Sequence, residues 1–128
     1  MVPYTSIRRA LSVLLIDNDE LILDSLSELL EADGFQVHTA NDGAECIAII
    51  SNGIFPDIII TDYHIPNRNG VEIVKSIRNF LSEEIPAIIF ADDTSAKVRK
   101  AARQNKCIFL SKPRETNMLA NHINALSA

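Results

Sequence analysis

Short apolar runs alternate with amphipathic stretches along the chain, and the alternation repeats five times. Val13-Leu14-Leu15-Ile16 and Ile58-Ile59-Ile60 are unbroken apolar runs, and the stretch from Ile85 to Phe90 is broken only by Pro86, a residue tolerated at a strand's beginning. Runs of this kind suit strands buried on both faces, as in a parallel sheet. Phe35-Gln36-Val37-His38-Thr39 alternates and predicts a second strand. Cys107-Ile108-Phe109-Leu110 predicts the fifth, after a central strand over about 57–61.

The intervening stretches carry helical spacing. Ile22, Leu26, Leu29 and Leu30 recur at i, i+4, i+7 and i+8, and Gly34 ends that helix. Asn41-Asp42-Gly43 starts a second helix carried by Ala44, Ile47, Ala48 and Ile50 and stopped at Asn52-Gly53. Val71, Ile73, Val74, Ile77 and Leu81 make a third. Asp92-Asp93-Thr94-Ser95 caps a fourth, whose apolar anchors are Val98, Ala101 and Ala102 and whose other positions include Lys97, Arg99, Lys100 and Arg103. Leu119, Ile123 and Leu126 mark a last helix. Strand and helix in strict alternation imply an α/β fold, a doubly wound five-stranded parallel sheet with five helices on its two faces.

With 128 residues, one domain is expected, with residues 1–11 as an N-terminal tail or linker and 12–128 as the folded unit. Arg8 and Arg9 would then belong to a preceding segment if the domain is part of a longer chain. No apolar run approaches the ~18 residues of a membrane span, and Met1-Val2-Pro3-Tyr4 does not open a signal peptide. The net charge of −5 argues against nucleic acid as a direct partner. Cys46 and Cys107 lie within apolar patterns and read as buried thiols of a reducing cytoplasm.

Three polar signals fall at the carboxyl ends of predicted strands: Asp17-Asn18 after the first, Asp62 after the third and Lys112 after the fifth. In a parallel sheet those ends share one edge, where ligands of open α/β sheets bind. Two carboxylates, an amide oxygen and an ammonium suit an oxygen-ligated divalent cation with a phosphate beside it. A carboxylate can also take up a phosphoryl group as an aspartyl-phosphate, with a lysine and a metal offsetting the charge. Simpler roles stand beside these: Asp62 as a turn residue, Asn18 or Asp19 as a helix cap, and Lys112 as a surface lysine.

Over residues 12–126 the chain resembles the receiver domains of two-component response regulators. The resemblance rests on Val13-Leu14-Leu15-Ile16-Asp17-Asn18, on Pro56-Asp57-Ile58-Ile59-Ile60-Thr61-Asp62 running on to Pro66 and Gly70, on Pro86, and on Phe109-Leu110-Ser111-Lys112-Pro113. It implies a flavodoxin-like (βα)5 fold in a cytoplasmic phosphoprotein of a phosphorelay. Asp62 would be the phosphoacceptor, taking its phosphoryl group from a histidine kinase or a histidine phosphotransfer domain. Asp17, Asn18, Asp62 and the backbone carbonyl of His64 would hold Mg²⁺, Lys112 would contact the phosphoryl group, and Phe109 would be the switch aromatic. The fourth helix, fifth strand and fifth helix would form a contact face for a downstream protein.

Two positions depart from the family pattern. Asn18 stands where a second acid is usual, which removes one negative charge from the cation site. Ala91 stands where Thr or Ser is usual and lacks the hydroxyl, and Asp92 follows where a small residue is preferred. These departures support an alternative, a pseudo-receiver that binds partners constitutively. An enzyme is a third reading. An aspartate-nucleophile phosphatase would want an acid two residues after Asp62, where His64 stands, and Asp17-Asn18-Asp19-Glu20 has the wrong charge for a nucleotide phosphate loop. Slow loss of a phosphoryl group to water would not make the chain a conventional enzyme.

Overall fold

The computed structural model describes residues 10–126, so most of the expected tail, residues 1–9, lies outside the described residues. Five strands alternate with five helices: β1 (Ser12–Ile16), α1 (Glu20–Ala32), β2 (Gln36–Ala40), α2 (Gly43–Ser51), β3 (Ile58–Thr61), α3 (Gly70–Leu81), β4 (Ala87–Ala91), α4 (Ala96–Gln104), β5 (Ile108–Ser111) and α5 (Leu119–Leu126). A 3₁₀ turn over Thr116–Met118 leads into α5. The strands are parallel and lie in the order β2-β1-β3-β4-β5.

The unbroken apolar runs follow from two cores, one on each face of the sheet. Leu14, Ile16, Ile59, Ile89 and Ala91 point into one with Cys46, Ile50, Val74, Ile77, Val98 and Ala102 of α2, α3 and α4. Val13, Leu15, Ile58, Ile60, Ile88 and Phe90 point into the other with Leu23, Leu26, Leu30, Leu119 and Ile123 of α1 and α5. Successive side chains of a strand face opposite ways, so strands covered on both sides carry apolar residues at every position.

Two helices sit differently from their predicted faces. In α1 the buried stripe is Leu23, Leu26 and Leu30, spaced i, i+3, i+7, while Leu29 is 42% exposed. In α2 only Cys46 and Ile50 are buried, a single i, i+4 pair on a nine-residue helix; Ala44 and Ala48 face solvent and Ile47 is half-buried. Strand bounds also shift by a residue or two: β2 runs to Ala40, β4 starts after Pro86, and Cys107 precedes β5. Both cysteines are buried and free, as expected. Among the described residues no helix is long and apolar enough to cross a membrane.

The sheet order determines where a site can form. From β1 the chain moves outward to β2, then crosses back to place β3 on the other side of β1. The carboxyl ends of β1 and β3 therefore flank the point where the winding reverses, the crevice in which doubly wound sheets bind ligands.

Candidate functional site

Asp17, Asp62 and Lys112 are each the first residue past a strand, and the neighbouring strand holds each by its backbone. The Asp17 N–H donates to the Ala40 carbonyl at 3.1 Å, the Asp62 N–H to Ile16 at 3.0 Å, and the Lys112 N–H to Ala91 at 3.1 Å. The parallel ladder thus extends one residue beyond β1, β3 and β5 and carries the three polar side chains on rigid backbone. They converge: Lys112 Nζ lies 2.5 Å from Asp17 Oδ2 and 3.1 Å from Asp62 Oδ2. The three side chains are 5%, 14% and 6% exposed for Asp17, Asp62 and Lys112.

The other carboxylate oxygens are also oriented. Asp17 Oδ1 accepts the Asp19 N–H at 2.9 Å, and Asp62 Oδ1 accepts the Tyr63 N–H at 2.6 Å. Burial alone would push the Lys112 ammonium down, but the hydrogen bond it donates to Asp17 and the charge of Asp62 outweigh that and hold its pKa above the ordinary value. The result is a nearly dry cluster of two acids and one base, with net negative charge facing the sheet edge.

The loop after β3 is built around Asp62. The Gly70 N–H donates back to the Tyr63 carbonyl at 2.7 Å, and Thr61 Oγ1 donates to the Asp62 carbonyl at 2.8 Å. Gly70 opens α3 behind an Asn69–Glu72 capping box. A Cβ built at Gly70 would lie 2.0 Å from the Asp62 carbonyl oxygen. The glycine is needed here for space, because α3 and the β3–α3 loop touch backbone to backbone.

The remaining singled-out residues are placed as follows. Asn18 is exposed on the β1–α1 loop, and Asp19, one residue on, is the N-cap of α1. His64 is exposed on the β3–α3 loop. Ala91 is fully buried at the end of β4, its methyl group in the apolar core. Phe109 is half-buried on β5 with the Arg99 guanidinium over its ring at 5.3 Å, a cation–π distance. One of the four cations of α4 is therefore engaged within the chain.

The donor chemistry fits Mg²⁺ in outline. That ion takes one or two carboxylates and completes its shell with water and phosphate oxygens. Asp17 and Asp62 would supply the carboxylates, and the Asn18 amide and the His64 carbonyl belong to the two loops beside them. Among the described residues no cluster of three or more His, Cys, Asp or Glu side chains could hold a metal by itself, so a cation here would depend on water and phosphate.

Some of the geometry is not encoded in local sequence pattern. His64 Nε2 lies 2.7 Å from Asp93 Oδ2, and the His64 hydrogen bond, then that of Ser95, holds the Asp93 carboxyl down at about 2. Asp93 had appeared only as part of a helix-capping run; Ser95 is the N-cap of α4. A cavity of about 440 Å³ borders Lys112 and is lined mainly by Leu21, Ile22, Leu26, Phe90 and Pro113. Leu21 is 78% exposed on its rim.

Comparison with known proteins follows the same outline. The family model for the response regulator receiver domain matches residues 13–124. The CAI-1 autoinducer sensor kinase/phosphatase CqsS of Vibrio cholerae is 29% identical over 128 residues, 98% of this chain and 18% of that protein. The transcriptional regulatory protein CpxR of Escherichia coli is 32% identical over 77 residues, 60% of this chain and 32% of its own length. This chain thus spans about a fifth to a third of those two curated relatives. The chemotaxis response regulator CheY4 of Vibrio cholerae superposes with a TM-score of 0.79 at 26% identity, covering 92% of this chain and 99% of that one. A receiver domain protein from Clostridium thermocellum superposes with a TM-score of 0.82 at 27% identity, covering 91% of this chain and 94% of that one.

Proposed function

The chain belongs to the response regulator receiver domain family, and from that premise we propose that it is a phosphoacceptor of a two-component phosphorelay, with Asp62 as the acceptor. Domains of this family are signalling domains rather than conventional enzymes, and they work with histidine kinases or phosphotransfer proteins. The observation that carries the proposal is the convergence of Lys112 Nζ on Asp17 and Asp62 at 2.5 Å and 3.1 Å. A lysine so placed meets the charge of a group arriving on Asp62 with only a short turn of its ammonium.

In the proposed reaction an Asp62 carboxylate oxygen attacks the phosphorus of a phosphohistidine on a kinase or phosphotransfer partner. The P–N bond breaks and the imidazole leaves. Lys112 turns from Asp62 Oδ2 toward a phosphoryl oxygen while Asp17 keeps its ammonium oriented. Mg²⁺ held by Asp17, Asp62, Asn18 and the His64 carbonyl would neutralise charge on the transferring group. Water attack on the phosphorus later breaks the aspartyl O–P bond and restores the carboxylate. We take residues 12–128 as the working unit, 1–11 as a tail or linker, and the cytoplasm as its compartment. The basic face of α4 with β5 and α5 is the proposed contact for a downstream protein.

One observation favours the second reading. Ala91 is fully buried among apolar side chains, so no hydroxyl stands at the end of β4 to follow a phosphoryl group. A pseudo-receiver that binds constitutively would tolerate this. Intact-mass measurement after incubation with Mg²⁺ and acetyl phosphate separates the two readings. The acceptor reading predicts a gain of about 80 Da, one phosphoryl group on an aspartate, absent in Asp62→Asn. No gain in the parent chain would favour the pseudo-receiver.

A further inference from the structure

β5 is an edge strand, last in the order β2-β1-β3-β4-β5. Its residues turn their backbone groups alternately toward β4 and toward the open edge. Lys112 faces β4, with its N–H on the Ala91 carbonyl at 3.1 Å. Ser111 therefore faces the edge, where the sheet offers no further strand. Glu115 takes the place of that strand. Its Oε1 accepts the Ser111 N–H at 2.9 Å and the Ser111 hydroxyl at 3.0 Å. Its own N–H donates to the Ser111 carbonyl at 2.9 Å. The turn Ser111-Lys112-Pro113-Arg114-Glu115 is thus clasped end to end, with Lys112 inside it. The carboxylate is not a helix cap: Glu115 stands at the N-cap of the 3₁₀ turn Thr116–Met118 yet makes no side-chain capping bond to it. The side chain turns back to β5 instead. The Ser111 N–H holds the Glu115 carboxyl below its ordinary value, so the acceptor is an anion at neutral pH.

We propose that Glu115 is a positioning residue for Lys112 in phosphoryl transfer, fixing the backbone from which the lysine reaches Asp17, Asp62 and the arriving phosphoryl group. This role rests on Asp62 being the acceptor and adds a residue to that site. The Lys112 side chain is 6% exposed, and its ammonium meets Asp17 and Asp62 at 2.5 Å and 3.1 Å. A lysine carries its charge on a flexible four-carbon stem, so its direction depends on what holds the tip and what holds the root. During transfer the tip leaves Asp62 Oδ2 for a phosphoryl oxygen, and the root must then keep the ammonium on target. Ala91 holds that root on the sheet side and the Glu115 clasp holds it on the edge side. No bond forms or breaks at Glu115; it acts through Lys112.

The test follows acetyl phosphate uptake in Mg²⁺ by intact mass, using the full 128-residue chain and the variants Glu115→Ala and Glu115→Gln, each alone and combined with Lys112→Met. Glu115→Ala should lower the maximal rate by about tenfold, the scale of one lost hydrogen bond to a charged group. The half-saturating acetyl phosphate concentration should stay within about twofold, because Lys112 meets charge that develops in the transition state. Glu115→Gln keeps an oxygen acceptor and should recover most of the rate. With Lys112→Met in place, Glu115→Ala should cost nothing further, because residues acting through one group are not additive. An unchanged rate in Glu115→Ala, no recovery in Glu115→Gln, or an equal fall with and without Lys112 would overturn the proposal. A parent chain that takes up no phosphoryl group would sink the acceptor reading instead. NMR of the Lys112 ammonium then decides the role of Glu115: its signal should shift or vanish in Glu115→Ala and persist in Glu115→Gln, and a signal unchanged in Glu115→Ala would refute the positioning.

Discussion

Gly70→Ala should destabilise the protein, although at most helix positions the same change helps. Gly70 has no positive φ, and alanine in place of glycine ordinarily gains up to about 1 kcal/mol in a helix. Here the added Cβ would sit 2.0 Å from the Asp62 carbonyl oxygen, 3.0 Å from Thr61 Cγ2 and 3.1 Å from the Asp62 carbonyl carbon. Ordinary contact begins at 3.4 Å, so the carbonyl must retreat by 3.4 − 2.0, or about 1.4 Å. The atoms in the way are backbone, held by the Asp62 N–H to Ile16 and the Gly70 N–H to Tyr63, not the tip of a flexible side chain. Overpacking of this kind costs about 1–3 kcal/mol. A 2.0 Å approach to backbone belongs at the upper end of that range, so after the helix gain a net loss of about 2 kcal/mol remains, a fall in Tm of about 6–8 °C for a chain of this size. Thermal unfolding by circular dichroism reads the first effect. Because the shift moves Asp62, the proposed acceptor, phosphoryl uptake from acetyl phosphate should fall by about tenfold or more. A Gly70→Ala protein as stable as the parent, with unchanged uptake, would refute the close approach and the reasoning built on it.

Removing the Lys112 charge leaves two buried carboxylates facing each other, so Lys112→Met should cost about 3 kcal/mol in denaturant unfolding with a chelator present. Added Mg²⁺ should stabilise that variant more than the parent. The Lys112 pKa is raised above its ordinary 10.5 in the folded chain, so its stabilising contribution is complete below about pH 10 and is lost as pH rises through the folded value. The parent should therefore lose its stability advantage over Lys112→Met in a melting series carried above pH 10.5. Asn18→Asp adds a carboxylate beside Asp17 and should tighten Mg²⁺ binding measured by calorimetry; equal affinity would count against Asn18 standing at the cation.

The fold was legible because burial on both faces leaves its mark on single strands. Val13 to Ile16 and Ile58 to Ile60 could be recognised without knowing their neighbours. The three strand-tip residues were legible for the same reason, since each stands no more than one hydroxyl residue beyond an apolar run. Helix faces were less so. Leu29 satisfies the same spacing as Leu30, and only the docking angle of α1 on the sheet decides that Leu23 goes inside and Leu29 does not. The contacts that complete the site join residues far apart in the chain: Lys112 and Asp17 are 95 positions apart, and His64 and Asp93 are 29 apart. Asp93 looked like a helix cap because it does serve the turn before α4 through the Ser95 N–H. Its second oxygen was free to do something local pattern does not encode. Gly70 was visible as part of the family resemblance, but the cause of its requirement, contact with the backbone of Asp62, belongs to three dimensions.

The central claim is that Asp62, with Lys112 and Asp17 around it, takes up the phosphoryl group. Mapping the modified residue tests it most directly. The phosphorylated chain would be reduced with borohydride, which converts an aspartyl-phosphate to homoserine, then digested and sequenced by mass spectrometry. The account predicts homoserine at position 62 and an unaltered aspartate at 17. Reduction at Asp17, or at neither residue in a chain that had gained a phosphoryl group, would contradict it.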